Sequence, residues 1–456
     1  MGKAMTVSDG HTDEKKLYVS KTVTTAILLF CFALAIRLLV PYAEWNLDAN
    51  HIMQNVIYSS LQGIPASGYS LRYWFQDNLY QWWLEAIYPV REFASPLNAI
   101  SMQKGVLVAS LLPKILGALN IALMFSLSLA IGADRKVSAL VAFIYAITAQ
   151  HVVMSTIVER QIISQSLLLI SFLMVATAPT RLSVRYLTYG IAIAVNVFGV
   201  ACYSPPIIFL PFLLAFIVTF EFRQRSATKS RINAIIALAC LYLVADLLVF
   251  LLTGASVLSV LKQAVVNFLF YANPTSNDEF SKLDQSLITA NALWFFGNLF
   301  QWLPYLREDN FSQISYWSFA LSAVVVSYCF YCATASIIEF VATIAKDPSL
   351  FFASRPTKIA LLSAAFFTGI VFTLAVRHGN QTEFYIMPYT FIIPVVSERL
   401  SRSLAKSIVA LSICAVLIAA TYLNYPFFGM SMEARNSYIA SNADAILPTM
   451  VMKPEL

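Results

Sequence analysis

Residues 37–63 read RLLVPYAEWNLDANHIMQNVIYSSLQG, and this stretch decides the fold. It starts at the end of a long apolar run and continues into a polar, aromatic-rich loop. Glu44 and Asp48 lie within a few residues of the point where the apolar run stops. Spaced i,i+4, they share one face if the segment is helical, and Asn50, His51 and Gln54 follow at once. A carboxylate at that depth sits level with a lipid headgroup while still reaching water.

The composition agrees with a membrane setting for that stretch. The 456 residues are 59% hydrophobic and 12% charged, about half the charged fraction usual in soluble domains. The apolar residues come in runs of roughly 20, long enough to cross a hydrocarbon core about 30 Å thick. The first run is followed by others and reads as a span, not as a removable signal peptide. The fold class expected is therefore an all-α integral membrane protein. The net charge of +6 gives no reason to expect nucleic acid, because the basic residues gather in short loops on one membrane face. The six cysteines (Cys31, Cys202, Cys240, Cys329, Cys332 and Cys414) lie within or beside apolar runs and read as small packing residues.

About eleven transmembrane helices are expected, over roughly 22–43, 105–131, 136–156, 162–179, 186–202, 204–220, 232–253, 313–344, 357–377, 384–397 and 405–424. With the N-terminus inside, most of the 30 basic residues fall in inner loops, among them Lys15, Lys16, Arg135, Lys136, Arg181, Arg223, Arg355, Arg399 and Arg402. The positive-inside rule then gives a cytoplasmic segment over 1–21, a polytopic domain over 22–424 and an outer tail over 425–456. Two long outer loops follow, about 44–104 and 254–312. Their Trp- and Tyr-rich stretches, RYWFQDNLYQWWLEAIYPVREF and ALWFFGNLFQWLPYLRED, suit helices lying in the interface.

Several passages, taken in order, resemble the GT-C superfamily of membrane glycosyltransferases. AIRLLV leads into NLDANHIMQNVIYSSLQGIP, similar to the passage that opens the first external loop in that superfamily. LLPKILGALNIALMFSLSLAIG with the turn Ala133-Asp134-Arg135-Lys136 resembles its second span and cytosolic turn. VSALVAFIYAITAQHVVMSTIVERQIISQSLLLISFLMV resembles its next two spans, and RHGNQTEFYIMPYTFIIPVVSERL a late basic-loop segment ending in Y-x-x-P. The resemblance implies a GT-C-like fold and transfer of a sugar, on the periplasmic or lumenal face, from a polyprenyl-phosphate-linked donor. The acceptor would be a glycan, a lipid or a protein, and the setting the bacterial inner membrane with the active site on its outer face. Oligosaccharyltransferase catalytic subunits belong to the same superfamily, but this chain lacks their WWD triplet: Trp82-Trp83 is followed by Leu84.

Sugar transfer to a hydroxyl needs a base to take the acceptor proton while the anomeric carbon loses its phosphate. The resemblance places Asp48 in that role, with Glu44, one turn nearer the span, as the alternative and His51 beside them. Glu159 and Arg160 stand on the second outer turn. Glu159, opposing the first-loop aspartate, is placed to hold an acceptor or a divalent cation; equally, the two residues mark a solvated turn. Arg377 and His378 stand where the ninth apolar run ends, and an arginine fork there suits a lipid-linked phosphate. Arg37 and Lys114 fall within spans, where charge is costly, and Asp246 is the natural ion-pair partner for one of them. No phosphate-cradling glycine loop, nucleophile elbow or metal-binding His pair is present in the sequence, so no cofactor is called for. A transporter or flippase of a lipid-linked glycan is the competing reading; it is the weaker one, because no internal repeat is found and the polar residues gather outside the spans. A third reading is an outer-face polymerase or ligase of surface polysaccharide on another fold.

Overall fold

The computed structural model describes residues 9–40, 55–56, 59–60, 64–66, 74–87, 99–158, 160–202, 205–223, 228–253, 295–300, 315–352, 355–376 and 386–421. Among these residues every regular element is helical. In chain order they are α1 (Asp9–Leu39), α2 (Trp74–Ile87), α3 (Ala99–Ala130), α4 (Arg135–Ala146), α5 (Ala149–Met154), α6 (Gln161–Ala176), α7 (Leu182–Cys202), α8 (Leu210–Arg223), α9 (Thr228–Thr253), α10 (Tyr316–Lys346), α11 (Arg355–Val376), α12 (Ile386–Ser401) and α13 (Leu404–Thr421). Short 3-10 turns, Pro205–Phe209 and Pro348–Phe352, lead into α8 and follow α10.

Six stretches are long and apolar enough to cross a membrane: Val19–Leu39, Val108–Ala130, Leu182–Val200, Tyr316–Lys346, Arg355–Thr373 and Leu404–Thr421. Three shorter apolar stretches, Gln161–Ala176, Pro206–Glu221 and Ile235–Leu248, accompany them. The protein is thus an all-α membrane protein in its described part, with six spans by length and composition where about eleven were expected. The expected span 136–156 is interrupted. The chain leaves α4 at Ile147, Thr148 Oγ1 donates to Tyr145 O at 2.9 Å, and the chain re-forms as the single buried turn-and-a-half of α5.

Local chemistry explains the joints. α3 ends at Gly132, whose φ of +100° only glycine adopts without strain; Ala133 N then donates back to Ser128 O. Asp134 next caps α4, accepting from the backbone N–H of Lys136 (2.8 Å) and Val137 (3.2 Å). Pro388 falls in the first turn of α12, where a missing N–H costs nothing, whereas Pro394 lies inside the helix.

The centre of the bundle is α12. Every residue from Ile386 to Glu398 is buried, and the helix packs against α3, α4, α6, α10 and α11. Phe391 meets Phe172 edge-on (5.2 Å between centroids) and Phe209 at 4.6 Å, tying α12 to α6 and to the turn before α8. α1 packs on α3 and α4 and turns Leu28, Leu38 and Leu39 outward, as a lipid-facing helix does. Asp246, expected to pair with Arg37 or Lys114, lies on α9, which packs against α7 and α8. The buried ion pair seen instead is Arg185–Glu221 (2.5 Å), which joins α7 to α8. At the same end of the bundle, Glu339 accepts from Arg399 (2.8 Å) and Arg402 (2.7 Å), and Glu398 from Arg402 and Arg355. Arg355 also donates to Gly132 O at 2.6 Å, so this ionic cluster closes over the α3–α4 turn.

α3 approaches the α5 turn closely at Gly117, where a Cβ would collide with the Ser155 side chain and lie 3.1 Å from Arg37 Nε. Helix propensity alone favours alanine over glycine by about 1 kcal/mol. The collision outweighs it: Gly117→Ala should lose about 1–3 kcal/mol by overpacking and unfold at lower temperature in detergent. Gly190→Ala, facing only a flexible leucine methyl of Leu241 at 3.2 Å, should hold or gain. Equal melting temperatures for the two variants would contradict this reading of the α3–α5 contact.

Candidate functional site

The end of the bundle where α1 stops, called here the α2 end, carries two connected groups of buried polar side chains. The first is built around Arg37, which is fully buried near the end of α1. Its guanidinium donates to Ala33 O (2.7 Å) and to His151 Nδ1 (2.5 Å). An arginine only donates, so His151 Nδ1 accepts and the ring carries its proton on Nε2. That Nε2–H faces Gln165 Oε1 at 3.3 Å, and the same oxygen accepts from Asn120 Nδ2 at 2.9 Å. Gln165 Nε2 then donates to Ile386 O and Thr390 Oγ1, both at 3.1 Å. Asn120 Oδ1 accepts from Ser166 Oγ at 2.6 Å. These hydrogen bonds join α1, α5, α6, α3 and α12. Aromatic rings wall it: Tyr145 lies 4.6 Å from the His151 ring, and Tyr389 stacks with Phe295 at 6.0 Å.

The second group lies on α2. Residues 77, 80, 81 and 84 recur at helical spacing, and all four are buried: Asp77, Tyr80, Gln81 and Leu84. A carboxylate thus sits on the buried stripe of α2. Asp77 is 2% exposed. Its Oδ2 accepts from Asn55 Nδ2 at 2.7 Å, while Oδ1 is buried with no hydrogen-bond partner. Gln81 ties α2 to the preceding segment, donating to Ile64 O (2.9 Å) and accepting from Ala66 N (2.7 Å). Asn78 Nδ2 donates to Ala66 O at 2.9 Å. Burial pushes the Asp77 carboxyl up from 3.8 to about 6, against the lowering effects of the Asn55 hydrogen bond and the Arg160 charge. Cys202, at the end of α7, lies within its field.

Arg160 is the link to the sequence-based expectations. It occupies the cap position of α6 and is 8% exposed, so the solvated-turn alternative does not hold for it. Its charge acts on Asp77, and it stands five residues before Gln165 on the element that carries the first group. Asp48, Glu44, His51, Glu159, Arg377 and His378 lie outside the described residues. Asp77 and the His151–Gln165 pair were missed in the sequence. The aspartate had one available signal, its i,i+3,i+4,i+7 register with Tyr80, Gln81 and Leu84. The histidine had none, because its partners Arg37 and Gln165 come from two other helices. Among the described residues no group of three or more His, Cys, Asp or Glu side chains is placed to hold a metal ion.

No family model and no curated protein sequence matches the chain. Among solved structures, the chain is similar to the oligosaccharyltransferase of Archaeoglobus fulgidus, crystallised in complex with Zn and sulfate. The likeness is one of fold. It covers 94% of this chain at a TM-score of 0.51 and 14% identity. The chain spans 56% of the length of that archaeal protein.

Asp77 gives the site a measurable property. An acid held at about 6 in the folded protein and at 3.8 when unfolded favours the folded state below pH 3.8. That contribution is lost as pH rises through about 6, because there the folded protein must release a proton that the unfolded chain released earlier. The difference amounts to about 3 kcal/mol. Asp77→Asn keeps the shape and removes the charge, so it should melt higher than wild type at pH 7.5 and converge with it near pH 4. A lower melting temperature for Asp77→Asn at pH 7.5 would contradict this.

Proposed function

We propose that the protein is a membrane glycosyltransferase that moves a sugar from a polyprenyl-phosphate-linked donor to a glycan, lipid or protein acceptor on the outer face of the membrane. The observation that carries this reading is the fold likeness to the archaeal oligosaccharyltransferase over 94% of the chain. The buried polar layer at the α2 end supports it. A carboxylate and an arginine set beside an interfacial helix meet the needs of a reaction between a membrane-borne phosphate and a hydroxyl. In a bacterium the enzyme would sit in the inner membrane.

Asp48 takes the acceptor proton in this reading, with Glu44 one turn closer to α1 and His51 beside it. Arg377, with His378, holds the leaving phosphate; Glu159 and Arg160 face the acceptor. The transporter reading gains no support from Arg37, which is bonded to His151 at the α2 end of the bundle.

Asp48→Asn keeps size and hydrogen bonding but removes the basic lone pair. It should fold as wild type and lose about 100-fold to 10,000-fold in transfer rate, the usual cost of a general base. The assay is release of polyprenyl phosphate from a labelled lipid-linked sugar, with Glu44→Gln as the matched control. Wild-type turnover in Asp48→Asn would remove it from the chemistry, and a dead Glu44→Gln beside an active Asp48→Asn would move the base one turn towards the membrane.

Arg377→Lys tests the phosphate contact. A point charge does not replace a bidentate fork, and the loss should be about 2–4 kcal/mol in transition-state stabilisation, by analogy with oxyanion donors. Near-normal activity in both Arg377→Lys and Arg377→Ala would place the phosphate elsewhere.

A further inference from the structure

Asp77 is a carboxylate buried to 2% exposure with one oxygen bonded and the other bare. Buried polar atoms in folded proteins almost always find partners, and an unmatched one costs about 1–3 kcal/mol, more when charged. The surroundings do not neutralise the cost by accident. Asn55 fixes the orientation of the carboxylate through Oδ2. That hydrogen bond leaves Oδ1 as the open acceptor. Arg160 holds a positive charge opposite, and Cys202 on α7 supplies no counter-charge. On α2 itself the nearest acid, Glu85, is turned to Gln81, which donates to it at 3.1 Å. Ser59 and Ser60 also carry buried hydroxyls with no hydrogen-bond partner among the described residues. The open acceptor is therefore Asp77 Oδ1, on a carboxylate that the half-buried Asn55 holds in place.

We propose that Asp77, oriented by Asn55 and faced by Arg160, binds a hydroxyl group of the donor's sugar, with Oδ1 accepting the hydroxyl hydrogen. This rests on the glycosyltransferase reading above and adds a residue and a ligand group that it does not contain. A hydroxyl-rich ring is the ligand chemistry that matches the site, since each hydroxyl donates one hydrogen bond and accepts others. Bonds from a hydroxyl to an ionised carboxylate are among the stronger neutral-to-charged hydrogen bonds. A fixed carboxylate also discriminates by position, because a sugar epimer presenting no hydroxyl there leaves the buried oxygen unpaired.

The test is a binding difference, measured on the full-length protein in detergent. The probes are farnesyl phosphate and a panel of farnesyl-phosphate-linked hexoses (glucose, galactose, mannose and N-acetylglucosamine). The wild type should bind at least one hexose-bearing probe about tenfold or more tightly than farnesyl phosphate, and Asp77→Asn should lose that increment while binding farnesyl phosphate unchanged. In Asp77→Asn the bond from Asn55 retains the amide oxygen, so an NH₂ group replaces the open acceptor. Melting temperature serves as the second readout, since a residue kept for its ligand and not for the fold leaves the asparagine variant at least as stable as wild type at pH 7.5. The proposal is overturned if no hexose-bearing probe outbinds farnesyl phosphate, if Asp77→Asn keeps the increment, or if the variant is the less stable protein. A wild type that shows the increment and its loss but releases no polyprenyl phosphate sinks the transferase reading and leaves this site standing.

Discussion

The guanidinium of Arg37 organises the α2 end of this protein. A charge fully enclosed in an apolar bundle is costly unless its neighbours hydrogen-bond to it, and that demand propagates. His151 must present a bare Nδ1, so its proton sits on Nε2. Gln165 must turn its oxygen to that proton, which sends its amide to Thr390 and the Ile386 carbonyl. One arginine on the first helix thereby dictates an amide orientation on α6 and the seat of the first turn of α12. The interruption between α4 and α5 belongs to the same demand. A continuous helix through residues 135–154 would carry His151 on past the end of α4 along its axis; the break at Ile147 folds the chain back and places the imidazole against the α1 arginine.

The opposite end is held by different physics. Three arginines and two glutamates from α10, α11, α12 and the following turn interlock there, partly exposed, and gain from geometry and number more than from burial. The α2 end is thus specified by neutral and charged hydrogen bonds in a dry interior, and the other by a semi-exposed ionic lattice. Between them the packing is aromatic and aliphatic, centred on Phe391.

Much of the architecture was legible in the chain. Long apolar runs, the capped turn at Asp134 and the glycine before it read directly, because each depends on neighbours in sequence. Among the described residues six helices have the length and composition of a span, fewer than the apolar runs of the sequence. Segments such as 386–397 are both apolar and enclosed by protein, and hydropathy does not separate enclosure from contact with lipid. The candidate site was legible where a residue is placed by its own helix: Arg160 marks a joint, and Asp77 follows the buried register of α2. It was illegible where partners converge from distant positions. Asp246 read as a counter-ion for Arg37 or Lys114 on charge alone, and Arg37 bonds to a histidine 114 residues away. Arg185 and Glu221, which do pair, sit at opposite ends of a two-helix excursion and share no local pattern.

The enclosure of α12 has a consequence for how that helix is held in the membrane. A helix buried from Ile386 to Glu398, with a proline in its interior, has little apolar surface to offer a bilayer and an incomplete ladder of backbone bonds. α3, α4, α6, α10 and α11, the walls of its enclosure, all precede it in the chain. Its place in the membrane therefore rests on packing against those helices more than on contact with lipid.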